Sequence, residues 1–296
     1  VDLPATDADV ARFAADLGVP GLADVHVHFL PEQVLAKVWR YFDRAEEHYG
    51  TEWPITYRED EVARLDRLRQ LGVRRFTSLV YAHKTGMSAW LNDWSIEFAD
   101  RTPGCVRTGT FFPEDGVEGY VTSALDTGTR VFKLHVQVGG YDPRDPLLDP
   151  AWGLCEEAGA VLVVHCGSGP VRGRFTGPGP IGDVLARFPR LRLVVAHLGM
   201  PEYEEFVALA ERFERVALDT TMAGTDFVEA LAPLPRSLGP RVKALAMAGK
   251  VVLGTDFPNI PYTYAHQVAV LPRLGLDDAD SLARVLWHNG NSLLGD

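Results

Sequence analysis

The 296-residue chain has three cysteines, Cys105, Cys155 and Cys166, and no Cys-x-x-Cys spacing among them. An odd, unpatterned set excludes a disulfide frame and reads as reduced thiols. No block of lysine and arginine occurs, and 29 basic against 40 acidic residues leave a net charge of −11. That balance argues against a nucleic-acid or anionic-membrane partner. No apolar run approaches the roughly 20 residues that span a bilayer. Residues 1–20 carry Asp2, Asp7, Asp9 and Asp16 where a secretory signal would be basic and then apolar. No Ser/Pro-rich linker and no repeat divides the chain. The expectation is a cytoplasmic protein, one domain over residues 1–296, whose partner is a small molecule.

What is present is rhythm. Eight short, β-branched apolar runs recur at 22–28, 73–81, 106–112, 130–138, 160–166, 191–198, 215–221 and 250–256, each of strand-like composition. Helical patterns separate them. In 59–71, Val62, Leu65, Leu68 and Leu71 recur near a period of 3.6. Trp90, Trp94 and Phe98 mark a second helix, Tyr120, Ala124 and Leu125 a third, and Leu282, Val285, Leu286 and Leu293 the last. Strands apolar throughout suit parallel strands covered on both sides. Eight β-α units predict an α/β fold, a distorted (β/α)8 TIM barrel. An open doubly wound sheet is disfavoured because no Gly-x-Gly-x-x-Gly follows the first strand. Two stretches break the rhythm. One is an insertion at 29–57, rich in aromatics including Trp39, Tyr41, Phe42, Tyr49 and Trp53. The other is a Gly/Pro-dense loop at 167–182 holding Arg172 and Arg174. Both fall where βα loops gather and read as pocket walls or lids, with Trp53, Arg172 and Arg174 as substrate contacts.

The chemistry-bearing residues end these runs. His26 and His28 are two apart, so on a strand they share a side, about 6.6 Å apart, with Asp24 one step deeper. His165, His197 and Asp256 close three further runs. Three imidazoles (His26, His28, His165) and the Asp256 carboxylate make a borderline-soft donor set that suits one Zn²⁺; Fe²⁺ and Mn²⁺ fit the same donors. A fifth ligand would fill the open position a catalytic metal needs, so His197 is read beside the metal, as a polarising or proton-moving group. Lys133 and His135 share one face of the fourth run. A carboxylated Lys133 bridging two metals is the less favoured reading; pairing with Asp24 or with a substrate anion is preferred. Cys166 follows His165 directly, so the two point to opposite sides and make no nucleophile–base pair.

Six pieces in order resemble the amidohydrolase superfamily, in its amidohydrolase-2 branch of aminocarboxymuconate-semialdehyde decarboxylase and its relatives. They are 23–31 around His26 and His28, 132–135 around Lys133, 163–167 around His165, 195–199 around His197, 254–258 around Asp256, and the closing 289–294. The resemblance implies a distorted barrel with one Zn²⁺, often a homodimer. It also implies His26, His28, His165 and Asp256 as ligands and His197 as the catalytic histidine; Asp256, beside the metal, is read in addition as the catalytic group that takes the water's proton and returns it to the leaving group. In this branch the lysine of 132–135 occurs without bridging metals. The expected activity is metal-dependent hydrolysis of an amide, lactone or similar bond in a small anionic or aromatic molecule by metal-activated water. The alternative is non-oxidative decarboxylation of an aromatic or enol-type acid. A catalytically silent, small-molecule-binding barrel is the third reading.

Overall fold

A computed structural model describes residues 2–295. The apolar runs become parallel strands: β1 (Leu22–Asp24), β2 (Val73–Thr77), β3 (Cys105–Val106), β4 (Thr108–Gly109), β5 (Val131–His135), β6 (Val161–His165), β7 (Arg192–Val195), β8 (Val216–Asp219) and β9 (Val251–Val252). They pair in chain order, β1-β2-β3 and then β4 through β9. The third run was expected as one strand; it breaks at Arg107, whose side chain turns out to Asp100 and the Thr127 carbonyl. The seam between β9 and β1 is joined beyond the regular ladders. Val25 N donates to Leu253 O at 2.9 Å, and His28 N and Asp256 N donate to Phe257 O and His26 O, each at 2.8 Å. The result is the distorted (β/α)8 barrel, with helices outside. No helix among the described residues is long and apolar enough to cross a membrane.

Alternation along each strand divides core from site. Val131, Val161, Val163, Val194, Ala217 and Val252 fill the barrel interior with Val25, Leu79 and Leu294. On β5 the same inward face continues from Val131 to Lys133 and His135, and on β6 from Val161 and Val163 to His165. The parallel register sets His135 directly beside His165. Aliphatic packing therefore lies at the base of each strand and titratable groups at its carboxyl end, as barrels require.

The strands are shorter than the runs that announced them. His26 and His28 lie past the end of β1, and Asp256 lies past β9 with φ +69°; His197 follows β7 with φ +59°. Non-glycine residues in the left-handed region are uncommon, and such strain concentrates at functional sites.

The insertion at 29–57 folds as helices Glu32–Phe42 and Ala45–Tyr49. Trp39 Nε1 donates to Asn259 Oδ1 at 3.0 Å and Trp53 Nε1 to Asn259 O at 2.7 Å, so one asparagine three residues past Asp256 fastens the insertion to the last strand end. The next helix, Glu61–Gln70, begins where Asp60 accepts from Ala63 N at 2.8 Å. Its buried stripe differs from the expected one. Arg64 and Leu68 are buried, as is Leu71 just past the helix, whereas Val62 is 68% exposed. The Arg64 guanidinium lies over the Phe29 ring at 4.9 Å and the Trp39 ring at 5.8 Å, and this cation–π seat under the insertion accounts for its burial beside Leu68. Leu68→Ala is accordingly expected to destabilise by about 2–5 kcal/mol and Val62→Ala by less than about 0.5 kcal/mol in urea unfolding. Equal effects would reinstate the Val62 face.

Candidate active site

His26 and His28 are oriented from behind. His26 Nδ1 faces Asp219 Oδ2 at 2.8 Å and Thr221 Oγ1 at 3.1 Å; His28 Nδ1 faces the Leu79 carbonyl at 2.7 Å. A carboxylate and a carbonyl only accept, so the hydrogen-bond pattern assigns the proton of each ring to Nδ1 and a lone pair to Nε2. Both lone pairs turn toward Asp256 Oδ1, at 2.8 Å from His28 Nε2 and 3.5 Å from His26 Nε2. Three acceptors converging within 4.8 Å of one another call for positive charge between them. Tetrahedral bonds to zinc of about 2.0–2.1 Å set neighbouring donors roughly 3.3 Å apart, so the donor set and spacing fit a divalent cation. The Lys133 ammonium approaches the same ground, 3.1 Å from His26 Nε2. It faces His26 and not Asp24, one of the two partners expected from the sequence; the other, a substrate anion, would meet it in the cavity that it lines.

The remaining imidazoles form a buried wall. His165 lies outside the 4.8 Å set. Its Nε2 donates to Gly169 O at 2.9 Å, which leaves Nδ1 as its free donor atom. Its ring stacks on His135, centroids 4.0 Å apart, and meets His197 edge-on at 4.6 Å. His197 Nδ1 is buried with no hydrogen-bond partner, an orphaned polar atom that a native interior seldom leaves. Burial, then the nearby Lys133 charge, holds His26 far below the ordinary histidine range and brings His165 down to about 4. Burial and neighbouring imidazoles likewise depress His135 and His197. All four are neutral at pH 7, the form that ligates metal or relays a proton. Burial lowers Lys133 to about 8, against the pull of Asp219 and Asp256. Burial pushes Asp256 upward, but the groups that face it, His28 and His26 and then the Lys133 ammonium, outweigh this and keep it below the usual carboxylate range.

Comparison with known proteins identifies the family. The model of a family described as Amidohydrolase, the amidohydrolase-2 branch, matches residues 23–295. The chain belongs to the amidohydrolase-2 family. No curated protein matches it by sequence. Among solved structures it resembles a TIM-barrel protein from Bordetella bronchiseptica, at TM-score 0.70 and 19% identity over 92% of this chain and 98% of that one. It also resembles a 5-carboxyvanillate decarboxylase from Novosphingobium aromaticivorans complexed with manganese and 4-hydroxy-3-methoxy-5-nitrobenzoic acid. There the TM-score is 0.59, with 13% identity over 95% and 97% of the two chains. A third is a probable 2-pyrone-4,6-dicarboxylic acid hydrolase from Acinetobacter baumannii with citric acid bound, at TM-score 0.57 and 13% identity over 93% and 100%.

In this member of the family two supporting residues have no counterpart among those expected from the sequence. Asp219, fully buried at the end of β8, accepts from His26 Nδ1, from His197 N at 2.8 Å and from Thr221 N at 3.0 Å. Gly254 is the other. A Cβ there would lie 2.5 Å from Thr221 Oγ1 and 2.9 Å from both Asp219 Cγ and His26 Cβ, so only glycine lets the pair meet. Asp219 ends an apolar run just as Asp256 does, and that was the available signal. Asp24 is not turned toward the metal ground. It takes hydrogen bonds from Thr255 Oγ1 (2.6 Å), Tyr264 OH (2.9 Å) and His26 N (3.1 Å), and burial raises it to about 7.

Above these groups opens a cavity of about 810 Å³, lined by Lys133, His135, His165, His197, Asp256 and Trp53 among others. The insertion supplies one wall, as expected. The 167–182 loop contributes only Pro170. Arg172 and Arg174, expected at the mouth, are exposed and outside the lining, and Arg174 lies over its neighbour Phe175. The loop folds back on itself: Thr176 Oγ1 accepts from Gly173 N at 3.1 Å, Gly177 N donates to Cys166 O at 2.7 Å, and Ser168 N donates to Glu202 at 3.0 Å. That closure turns the arginines outward.

Asp219→Asn is expected to weaken metal binding about 10–100-fold, because the partner of a ligating histidine sets its tautomer and basicity. Competitive chelator titration of the folded variant measures this. Unchanged affinity would reduce Asp219 to packing.

Proposed function

We propose that the chain is a metal-dependent hydrolase acting on an amide, lactone or similar bond of a small anionic or aromatic molecule. The observation that carries the reading is the convergence of two Nε2 lone pairs and the Asp256 carboxylate under a deep cavity. His26, His28 and Asp256 would hold one divalent cation, with His165 Nδ1 as the fourth donor. When bound, such a cation brings the pKa of a water down to about 7 and polarises a carbonyl.

The chain's own groups do the rest. Asp256, held as a carboxylate at pH 7, takes the proton of the attacking water through Oδ2 and returns it to the leaving group. His197, neutral and with an unsatisfied ring nitrogen, donates to the developing oxyanion. Lys133 supplies fixed positive charge that favours an anionic reacting centre. The aromatic wall of Trp53, Tyr49 and Phe42 limits the water around it.

Decarboxylation is the second reading, favoured by the Lys133 ammonium beside Asp256 and by the decarboxylase among the structural neighbours. There Lys133 would grip the carboxylate that leaves as CO₂, and the carbon would take its proton from His197, or from Asp256 after Asp256 had drawn one from a substrate hydroxyl or a water. Assaying CO₂ release against appearance of a new carboxylic acid separates the two.

Purified protein should carry about one equivalent of zinc, iron or manganese by elemental analysis. His26→Ala, His165→Ala and Asp256→Ala should each lose it while staying folded. Metal retained in all three would remove the ligand assignment. His197→Ala should keep its metal and lose turnover about 10²–10⁴-fold; loss of metal instead would make His197 a ligand.

A further inference from the structure

The sign of charge reverses inside the cavity. The chain carries 40 acidic residues, yet among the described residues Asp256 is the only carboxylate in the lining. The chain has five lysines, at 37, 84, 133, 243 and 250, and three of them, Lys37, Lys84 and Lys133, line the same cavity. No arginine does.

Two of those three stand away from the reacting groups. Lys37 projects from the insertion helix Glu32–Phe42, and Lys84 lies in the loop after β2, next to His83. Both are exposed at the mouth, and both ammonium groups are near enough to His83 to disfavour its cation, after the larger effect of its partial burial. The chain's other lysines are satisfied. Lys243 pairs with Asp277 and Asp278 at 2.6 Å, and Lys250 donates to two backbone carbonyls at 2.8 and 2.9 Å. Lys37 and Lys84 have no ion pair or hydrogen bond among the described residues. In a chain with so many carboxylates, two cations left unpaired at one mouth are a device for catching an anion. Between them and the metal-type ligands the wall is aromatic and apolar, with Tyr41, Phe42, Tyr49, Met87 and Trp90.

We infer that Lys37 and Lys84 are specificity-determining residues that hold a second acid group of the substrate, distal to the reacting centre, across an aromatic or apolar body. The substrate class is then a dianionic acid, not a monoacid or a neutral amide. The inference rests on the cavity being the substrate site of the proposed enzyme. Flexible ammonium groups suit a carboxylate or phosphate of variable position, where a guanidinium fork would fix one geometry.

The test uses binding, so that it stands apart from turnover. Benzene-1,3-dicarboxylate and benzoate are titrated into the purified full chain, with the fluorescence of Trp53 and Trp90 in the cavity wall as readout. Wild type should prefer the dicarboxylate, and raising salt should erode that preference. Lys37→Ala and Lys84→Ala should each weaken dicarboxylate binding about tenfold, the low end for a hydrogen bond to a charged group, and leave benzoate within about twofold. Lys37→Arg and Lys84→Arg should keep most of the preference, and Arg172→Ala should not alter it. Equal affinity of wild type for both probes, binding of neither, or a preference that survives both alanine variants overturns the inference. Failure of the enzyme reading shows separately, as protein that binds the dicarboxylate through these lysines but holds no metal.

Discussion

One buried carboxylate organises the carboxyl end of the barrel. Asp219 takes hydrogen bonds from the His26 ring, from the His197 backbone and from Thr221. It thereby ties the ends of β1, β7 and β8 at a single point. A carboxyl group at zero exposure is tolerated only when it is hydrogen-bonded, and here three donors meet its two oxygens. The bonding has consequences outward. It fixes the His26 tautomer, so that Nε2 is the lone pair offered to the cavity. It also helps hold His197 in the left-handed backbone that places its ring edge-on to His26 and His165. Gly254 is the steric condition of the arrangement, since any side chain there would enter the space between His26 and Asp219.

A second constraint sets the roof. Asn259 accepts from two tryptophans of the insertion, Trp39 and Trp53, three residues after Asp256. The wall that shapes the cavity is thus anchored to the strand end that carries the reacting carboxylate. Trp53 was expected as a substrate contact. It does line the cavity, but its only polar atom is spent on Asn259, so what it offers a substrate is an apolar face.

The electrostatics follow from burial. Four neutral imidazoles can crowd within about one ring's width because desolvation strips them of charge. The same desolvation weakens the proton's hold on Lys133. Positive charge is concentrated on lysine at the cavity floor and mouth, while the acidic exterior surrounds it.

Much of this was legible before folding. Alternating apolar runs and helical patterns announced eight parallel β-α units, because strands buried on both faces and helices buried on one leave different periods in the sequence. Strand ends carrying histidine or aspartate pointed to His26, His28, His165, His197 and Asp256 as a set, because parallel strands of a barrel deliver their carboxyl ends to one face. Other features depend on where distant segments meet, and no local pattern encodes that. Arg172 and Arg174 had the right charge in the right loop, but that loop is pinned by a hydrogen bond within it and by another to Glu202, and both arginines lie exposed outside the cavity lining. Lys37 and Lys84 lie 47 residues apart, in an insertion and a short connection, and become one cationic mouth only when both walls are built. Arg64 is buried although charged because the aromatic insertion offers it a cation–π seat, while Val62 stays exposed. Periodicity and residue type thus determined the barrel and the strand ends that bear its chemistry. Tertiary packing alone decided which side chains face the cavity, which lone pairs are free, and which charges remain unpaired.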